Sequence, residues 1–178
     1  DALTGISNRR FFERRLSEEV ERWARQSGPL VCMLVDVDFF KQVNDQYGHQ
    51  VGDRVLRQIA SLLGQDLRGS DVLARYGGEE FVLLLPDTTP AQGAAIAERL
   101  RGRVEHSAFV IPEGVDLDVT VSIGLACLQP GADSYGPDPG AWLFKQVDTA
   151  LYEAKETGRN RVVQAQMSGS SSTIIEQD

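Results

Sequence analysis

Apolar residues recur along this chain at two spacings, and each switch between them marks a new element. Phe12, Leu16, Val20 and Trp23 fall three or four positions apart, with Arg and Glu between them. That period predicts a helix over Asn8–Arg25, ended by Gly28-Pro29. Leu30–Val37 is a short apolar run with β-branched residues and predicts a buried strand. A loop follows through Gly48. Gly52-Asp53 then opens a second helix whose face is Val55, Leu56, Ile59, Leu62, Leu63 and Leu67. Val72–Arg75 and Phe81–Leu85 flank Gly77-Gly78 and predict a hairpin, because adjacent glycines tolerate the positive φ of a tight turn. Thr89-Pro90 starts a third helix with Ile96, Leu100 and Val104 inward. Val119, Val121, Ile123 and Leu125 alternate with Thr120, Ser122 and Gly124, as in a strand. Pro130–Gly140 reads as a loop. A last helix runs over Ala141–Thr157 with Gly158 as its C-cap, and Arg161–Ala165 is a closing strand.

The order of elements predicts an α+β fold with a ferredoxin-like βαββαβ core. Its sheet is mixed and mostly antiparallel, with helices on one face. With 178 residues the chain suits one domain, taken as residues 1–165. Residues 166–178 form a Ser/Gly-rich tail that is expected to be disordered. No period of 20–50 residues repeats, which excludes a solenoid. No run approaches the roughly 18 apolar residues of a membrane span, and no direct membrane contact is expected. The chain begins with Asp1, inside what reads as a motif, so an upstream region is expected in the whole protein.

Charge and cysteine narrow the chemistry. The net charge is −8 and the pI about 4.8, which argues against a nucleic-acid polymer as the main partner. A small anion stays possible, because local cations and metals overcome a global negative charge. Cys32 and Cys127 sit far apart in apolar runs and read as buried, reduced thiols of a cytoplasmic protein.

The candidate site begins at Asp36, a carboxylate ending a hydrophobic strand. Such a group is costly to bury without compensation. A Mg²⁺ ion is one compensation, and a turn facing water is another. Glu79 and Glu80 stand side by side at the predicted hairpin tip and repel each other unless a cation lies near. A solvated hairpin end would look the same. Two such carboxylate groups on neighbouring strands make a two-metal phosphoryl-transfer site plausible.

At this point the residues resemble a known family. Gly77-Gly78-Glu79-Glu80-Phe81 matches the signature of GGDEF-domain diguanylate cyclases, in its GGEEF form. The resemblance extends over about residues 1–165. It takes in Asp1-x-Leu3-Thr4-Gly5, Asn8-Arg9-Arg10, Asp36-Val37-Asp38-Phe39-Phe40-Lys41, Asn44-Asp45 and Gly48-His49-x-x-Gly52-Asp53. It continues with Arg75-Tyr76, Val121-Ser122-Ile123-Gly124, Ala150-Leu151-Tyr152 and Ala154-Lys155-x-x-Gly158-Arg159-Asn160.

The resemblance implies the nucleotide-cyclase or polymerase-palm version of the fold, with helices around the sheet. It implies condensation of two GTP molecules into cyclic di-GMP, with Mg²⁺ or Mn²⁺, two per active site. Asp36, the Val37 carbonyl and Glu79 are then the metal ligands, and Glu80 is the second signature acid needed for activity. Phe39, Phe40, Lys41, Lys155 and Arg159 would hold phosphates, with Gly77 and Gly78 letting substrate approach the bare backbone. Asn44 and Asp53 would read guanine, although an Asp after Gly is also an ordinary helix N-cap. Lys155 and Arg159 also read as helix C-terminal cations beside Gly158. Arg68 and Asp71 match an inhibitory site for the product, with Arg99 as its secondary arginine, and RxxD alone also reads as a local ion pair. The family works as a homodimer, each domain bringing one GTP. His49 and His106 are read as structural and as a solvated helix end. Two alternatives stay open: a catalytically silent cyclic di-GMP receptor using Arg68 and Asp71, and a GTP-binding regulatory module.

Overall fold

The computed structural model describes residues 1–26, 28–111, 114, 116–130, 135–165 and 173–175. A two-residue strand, β1 (Ser7–Asn8), leads into α1 (Arg9–Gln26). Asn8 Oδ1 accepts from the Phe11 N–H at 3.0 Å and so caps the first turn. β2 (Leu30–Val37) follows, buried along its whole length. Two helices come next, α2 (Phe40–Tyr47) and α3 (His49–Gly64). The hairpin β3 (Val72–Gly77) and β4 (Glu80–Pro86) leads to α4 (Pro90–Glu105), opened by a capping box of Thr89 and Gln92. A small hairpin, β5 (Phe109–Val110) with β6 (Asp116–Leu117), precedes β7 (Val121–Leu128), α5 (Pro139–Glu156), β8 (Val162–Gln164) and β9 (Thr173–Ile175).

The main sheet runs β1-β3-β4-β2-β7-β8-β9. Its central four strands pair antiparallel in the ferredoxin-like order; β1 joins β3 and β8 joins β7 in parallel, and β9 pairs antiparallel with β8 at the edge. β2 lies at the centre, which is why it carries no polar residue before Asp36. Its odd positions Val31, Met33, Val35 and Val37 pack with Val55, Ile59 and Leu63 of α3 and with Leu100 and Val104 of α4. Its even positions Leu30, Cys32 and Leu34 pack with Phe12 of α1 and with Leu143, Val147 and Leu151 of α5.

Helices therefore cover both faces, as the family resemblance implies, and not one face as the order of elements alone suggests. The cause is visible in β2 itself: a strand apolar on both sides needs two covers. A second correction concerns residues 40–47, which form a helix where a loop is expected. Phe40 is the only buried side chain of α2, so its eight residues carry too little periodicity to announce it. The third follows from the second. Gly48, at φ 84, ends α2 and opens α3 at His49, so Asp53 lies inside a helix and is not its N-cap. Both cysteines are buried free thiols, and burial pushes each up to about 12. His106 is exposed as the C-cap of α4, with Nδ1 2.7 Å from the Gly102 carbonyl. Within the tail, residues 173–175 pair with β8, and the rest lies outside the described residues.

Candidate active site

The site forms where β2 ends between β4 and β7. Asp36 stands directly opposite Glu80 across one pair and Ser122 across the other. Side chains directly opposite on one sheet face lie close together, and like charges there repel. Asp36 is 7% exposed, and its carboxyl is pushed up to about 6. Burial is the main cause; Lys155 opposes it, and Glu79 and Glu80 reinforce it. The relief is an ion pair from α5: Lys155 Nζ lies 2.7 Å from Asp36 Oδ2.

The hairpin is shaped to bring its acids here. Gly77 pairs with Glu80, so Gly78 and Glu79 alone make the turn, with Gly78 at φ 23. The register slips between Arg75 and Gly77. This bulge leaves Tyr76 against Phe144 and Phe12, under the Arg9 guanidinium. Arg75 donates from Nε and Nη2 to the Gly78 carbonyl at 3.0 and 2.7 Å, closing the turn from behind. The Val37 N–H donates to the Glu79 carbonyl at 3.3 Å and ties the tip to the end of β2. Asp36, Val37, Glu79 and Glu80 are thus brought together as the sequence predicts.

Beyond β2 the chain turns sharply. Phe39 is exposed and left-handed at φ 56, and it is the N-cap of α2. The Arg159 guanidinium lies 4.8 Å from the centre of its ring. Lys155 and Arg159 therefore reach the mouth of β2 from the end of α5. Lys41 is exposed on the first turn of α2. Asn44 lies on the same helix, and its Oδ1 is buried without a partner among the described residues. A Cβ at Gly52 would stand 2.0 Å from that atom, so any larger residue there would push the Asn44 amide aside. Asp53 is the next residue along α3.

Asp38 had no role assigned from sequence, and it organises the site. It is 5% exposed and accepts from Thr120 Oγ1 and Ser122 Oγ, each at 2.7 Å, and from the Asn160 N–H at 3.0 Å. Ser122, the one hydroxyl in the buried strand β7, signals that a polar partner exists but not which one.

Metal fits this donor set. Among the described residues no three His, Cys, Asp or Glu side chains converge as a closed metal cage. Asp36 and a neighbouring glutamate would instead suit Mg²⁺, which keeps several waters and binds substrate phosphate.

A cavity of about 260 Å³ lies between the end of α3 and the start of α4. Arg68, Asp71 and Arg99 all line it. Asp71 Oδ2 accepts from the Arg68 backbone N–H at 2.8 Å, so RxxD is a turn here and not an ion pair. Among the described residues neither the Arg68 nor the Arg99 guanidinium has a side-chain partner.

Comparison with known proteins identifies the family. Residues 1–161 match the family described as "Diguanylate cyclase, GGDEF domain". The response regulator PleD of Caulobacter vibrioides is 43% identical over 92% of the chain. The probable diguanylate cyclase DgcT of Escherichia coli is also 43% identical over 92%. In each case the chain spans 35% of the relative's length. Among solved structures, the GGDEF domain of DgcB from Caulobacter crescentus, in complex with c-di-GMP, superposes with a TM-score of 0.86 at 34% identity. That alignment covers 94% of this chain and 93% of the other.

Proposed function

This chain belongs to the GGDEF-domain family of diguanylate cyclases, and from that premise we propose that it condenses two GTP molecules into cyclic di-GMP. In each of two steps the 3′-hydroxyl of one GTP attacks the α-phosphate of the other. One O–P bond forms, the bond to pyrophosphate breaks, and the hydroxyl proton passes to a base such as the Glu79 carboxylate and on to solvent. The observation that carries the reading is the junction of Asp36, Glu79 and Glu80 with Lys155 and Arg159 at the mouth of β2.

Asp36, Glu79 and the Val37 carbonyl would hold two Mg²⁺ or Mn²⁺ ions. When bound, these neutralise the triphosphate and lower the pKa of the attacking hydroxyl. Glu80, opposite Asp36, adds negative charge beside the cation pair. Lys155, Arg159, Lys41 and the backbone at Phe39 and Phe40 would orient the β- and γ-phosphates, so most of the rate comes from positioning and electrostatics. Asn44 and Asp53 offer acceptors to the N–H edge of guanine, which adenine lacks.

Each domain would hold one GTP, so the working form is a homodimer. Arg68, Asp71 and Arg99 would bind the product and restrain it, because planar guanidiniums pair with phosphate and stack on guanine. No described helix is long and apolar enough to cross a membrane. The reaction would take place in the cytoplasm, under the control of other parts of the whole protein.

The test is to incubate the purified protein with GTP and Mg²⁺ across a range of protein concentrations and to separate the nucleotides. Cyclic di-GMP appearing with a steeper than linear dependence on protein supports the cyclase and its dimer. Tight cyclic di-GMP binding without any product formation would favour a silent receptor instead.

A further inference from the structure

The turn that presents Arg159 is held in a backbone conformation that most residues avoid. Arg159 and Asn160 are consecutive left-handed residues, at φ 61 and 44. Such a conformation persists only where its surroundings over-determine it. Three backbone contacts contribute. The Arg159 N–H donates to the Ala154 carbonyl at 2.9 Å. The Arg159 carbonyl accepts from Arg161 Nε at 3.0 Å. The Asn160 N–H donates to Asp38.

The remaining grip comes from α4, which is remote in sequence. Arg101 Nη1 donates to Asn160 Oδ1 at 2.7 Å, and Asn160 Nδ2 donates to Glu105 Oε1 at 2.7 Å. Arg101 is itself fixed, with Nε on Glu98 at 2.8 Å and Nη1 on Glu105 Oε2 at 2.7 Å. Its side chain is only 15% exposed. Arg101, and after it Asn160, hold the Glu105 carboxyl below its ordinary range. This network is not what docks α4 on the sheet, since Ala97, Leu100 and Val104 already do so with apolar contacts. A rigid guanidinium fork engaging both an acid and an amide is suited to fixing direction.

We infer that Arg101 is a positioning residue: with Glu98 and Glu105 it clamps Asn160, and so sets the direction in which Arg159 offers its guanidinium to a nucleotide phosphate. The phosphate in that statement rests on the cyclase reading, while the clamp itself does not.

Arg101→Met keeps the aliphatic stem and removes the fork. Asn160→Gly removes the clamped amide and tolerates the left-handed backbone. Two measurements separate the possibilities. Amide hydrogen exchange over residues 157–162 in ligand-free protein reads the clamp. Affinity for a non-hydrolysable GTP analogue with Mg²⁺, in wild type, Arg101→Met, Arg159→Ala and the double variant, reads its use. Exchange in the turn should rise about tenfold or more in both clamp variants, with the core strands unchanged. Affinity should fall about tenfold in Arg101→Met, with little further loss when that change is added to Arg159→Ala. Unchanged exchange, or losses that simply add, would overturn the inference. If the wild type does not bind the analogue, the cyclase reading falls and exchange alone judges the clamp. If Arg101→Met does not melt cooperatively, Asn160→Gly carries the same comparisons.

Discussion

Glu79 occupies the hairpin tip whose carbonyl is bonded to Val37, and its side chain is half-buried beside Asp36. Glu79→Gln keeps the shape and removes the charge. Product formation should fall by roughly a hundredfold or more, the order expected when one electrostatic contributor to a transition state is lost. The melting temperature should hardly change. Asp36 makes a prediction about pH. Its folded pKa of about 6 lies above the ordinary value of 3.8, so the fold favours the neutral acid. That contribution to stability is complete below about pH 4 and is lost as pH rises through about 6. In metal-free protein, Asp36→Asn should therefore gain melting temperature relative to wild type between about pH 4 and 7. Added Mg²⁺ should help only the wild type. A difference independent of pH would show that Asp36 is not the buried acid inferred here. Asp36, Glu79 and Glu80 were legible in the sequence because a carboxylate at the end of an apolar strand demands a reason. Asp38 was not, because its partners Thr120, Ser122 and Asn160 come from 82 to 122 residues away.

The helices hold the site at fixed heights on the sheet, and Gly124 shows how closely. A Cβ there would stand 2.2 Å from the Leu151 nitrogen and 2.5 Å from the Val147 carbonyl oxygen, both backbone atoms of α5. Backbone yields less readily than a side-chain tip. Gly124→Ala should therefore cost about 3 kcal/mol, the upper range of overpacking, read as a lower urea midpoint. Activity should fall as well, because α5 carries Lys155 to Asp36. The long elements of this layer could be read from periodicity alone. α2 could not, since one buried residue in eight leaves no stripe to see. Nor could β1 and the β5–β6 hairpin, because two-residue strands exist only through their pairing partners. The second helical layer came from the family resemblance and not from the order of elements, because the unbroken apolar run of β2 was read as burial without asking how many faces it buried.

For the whole molecule, the proposed inhibitory site between α3 and α4 predicts a response to the proposed product. Arg68→Ala should raise the cyclic di-GMP concentration needed for half inhibition by about tenfold, the loss of a charge-assisted contact. Activity without added product should stay unchanged. An identical inhibition curve would remove the cavity between α3 and α4 from the regulatory account. The overall layout was readable because the order of elements admits few topologies. Which residues from distant elements meet was not, because that depends on helix rotation and strand register together. Lys155 illustrates what such a meeting does. Its ammonium rests on Asp36, where the proposed cation would sit, so a metal can enter only by ion exchange. A nucleotide phosphate gives the displaced ammonium somewhere to go. Under the cyclase reading, metal and nucleotide would be heterotropic partners, each lowering the other's cost of entry.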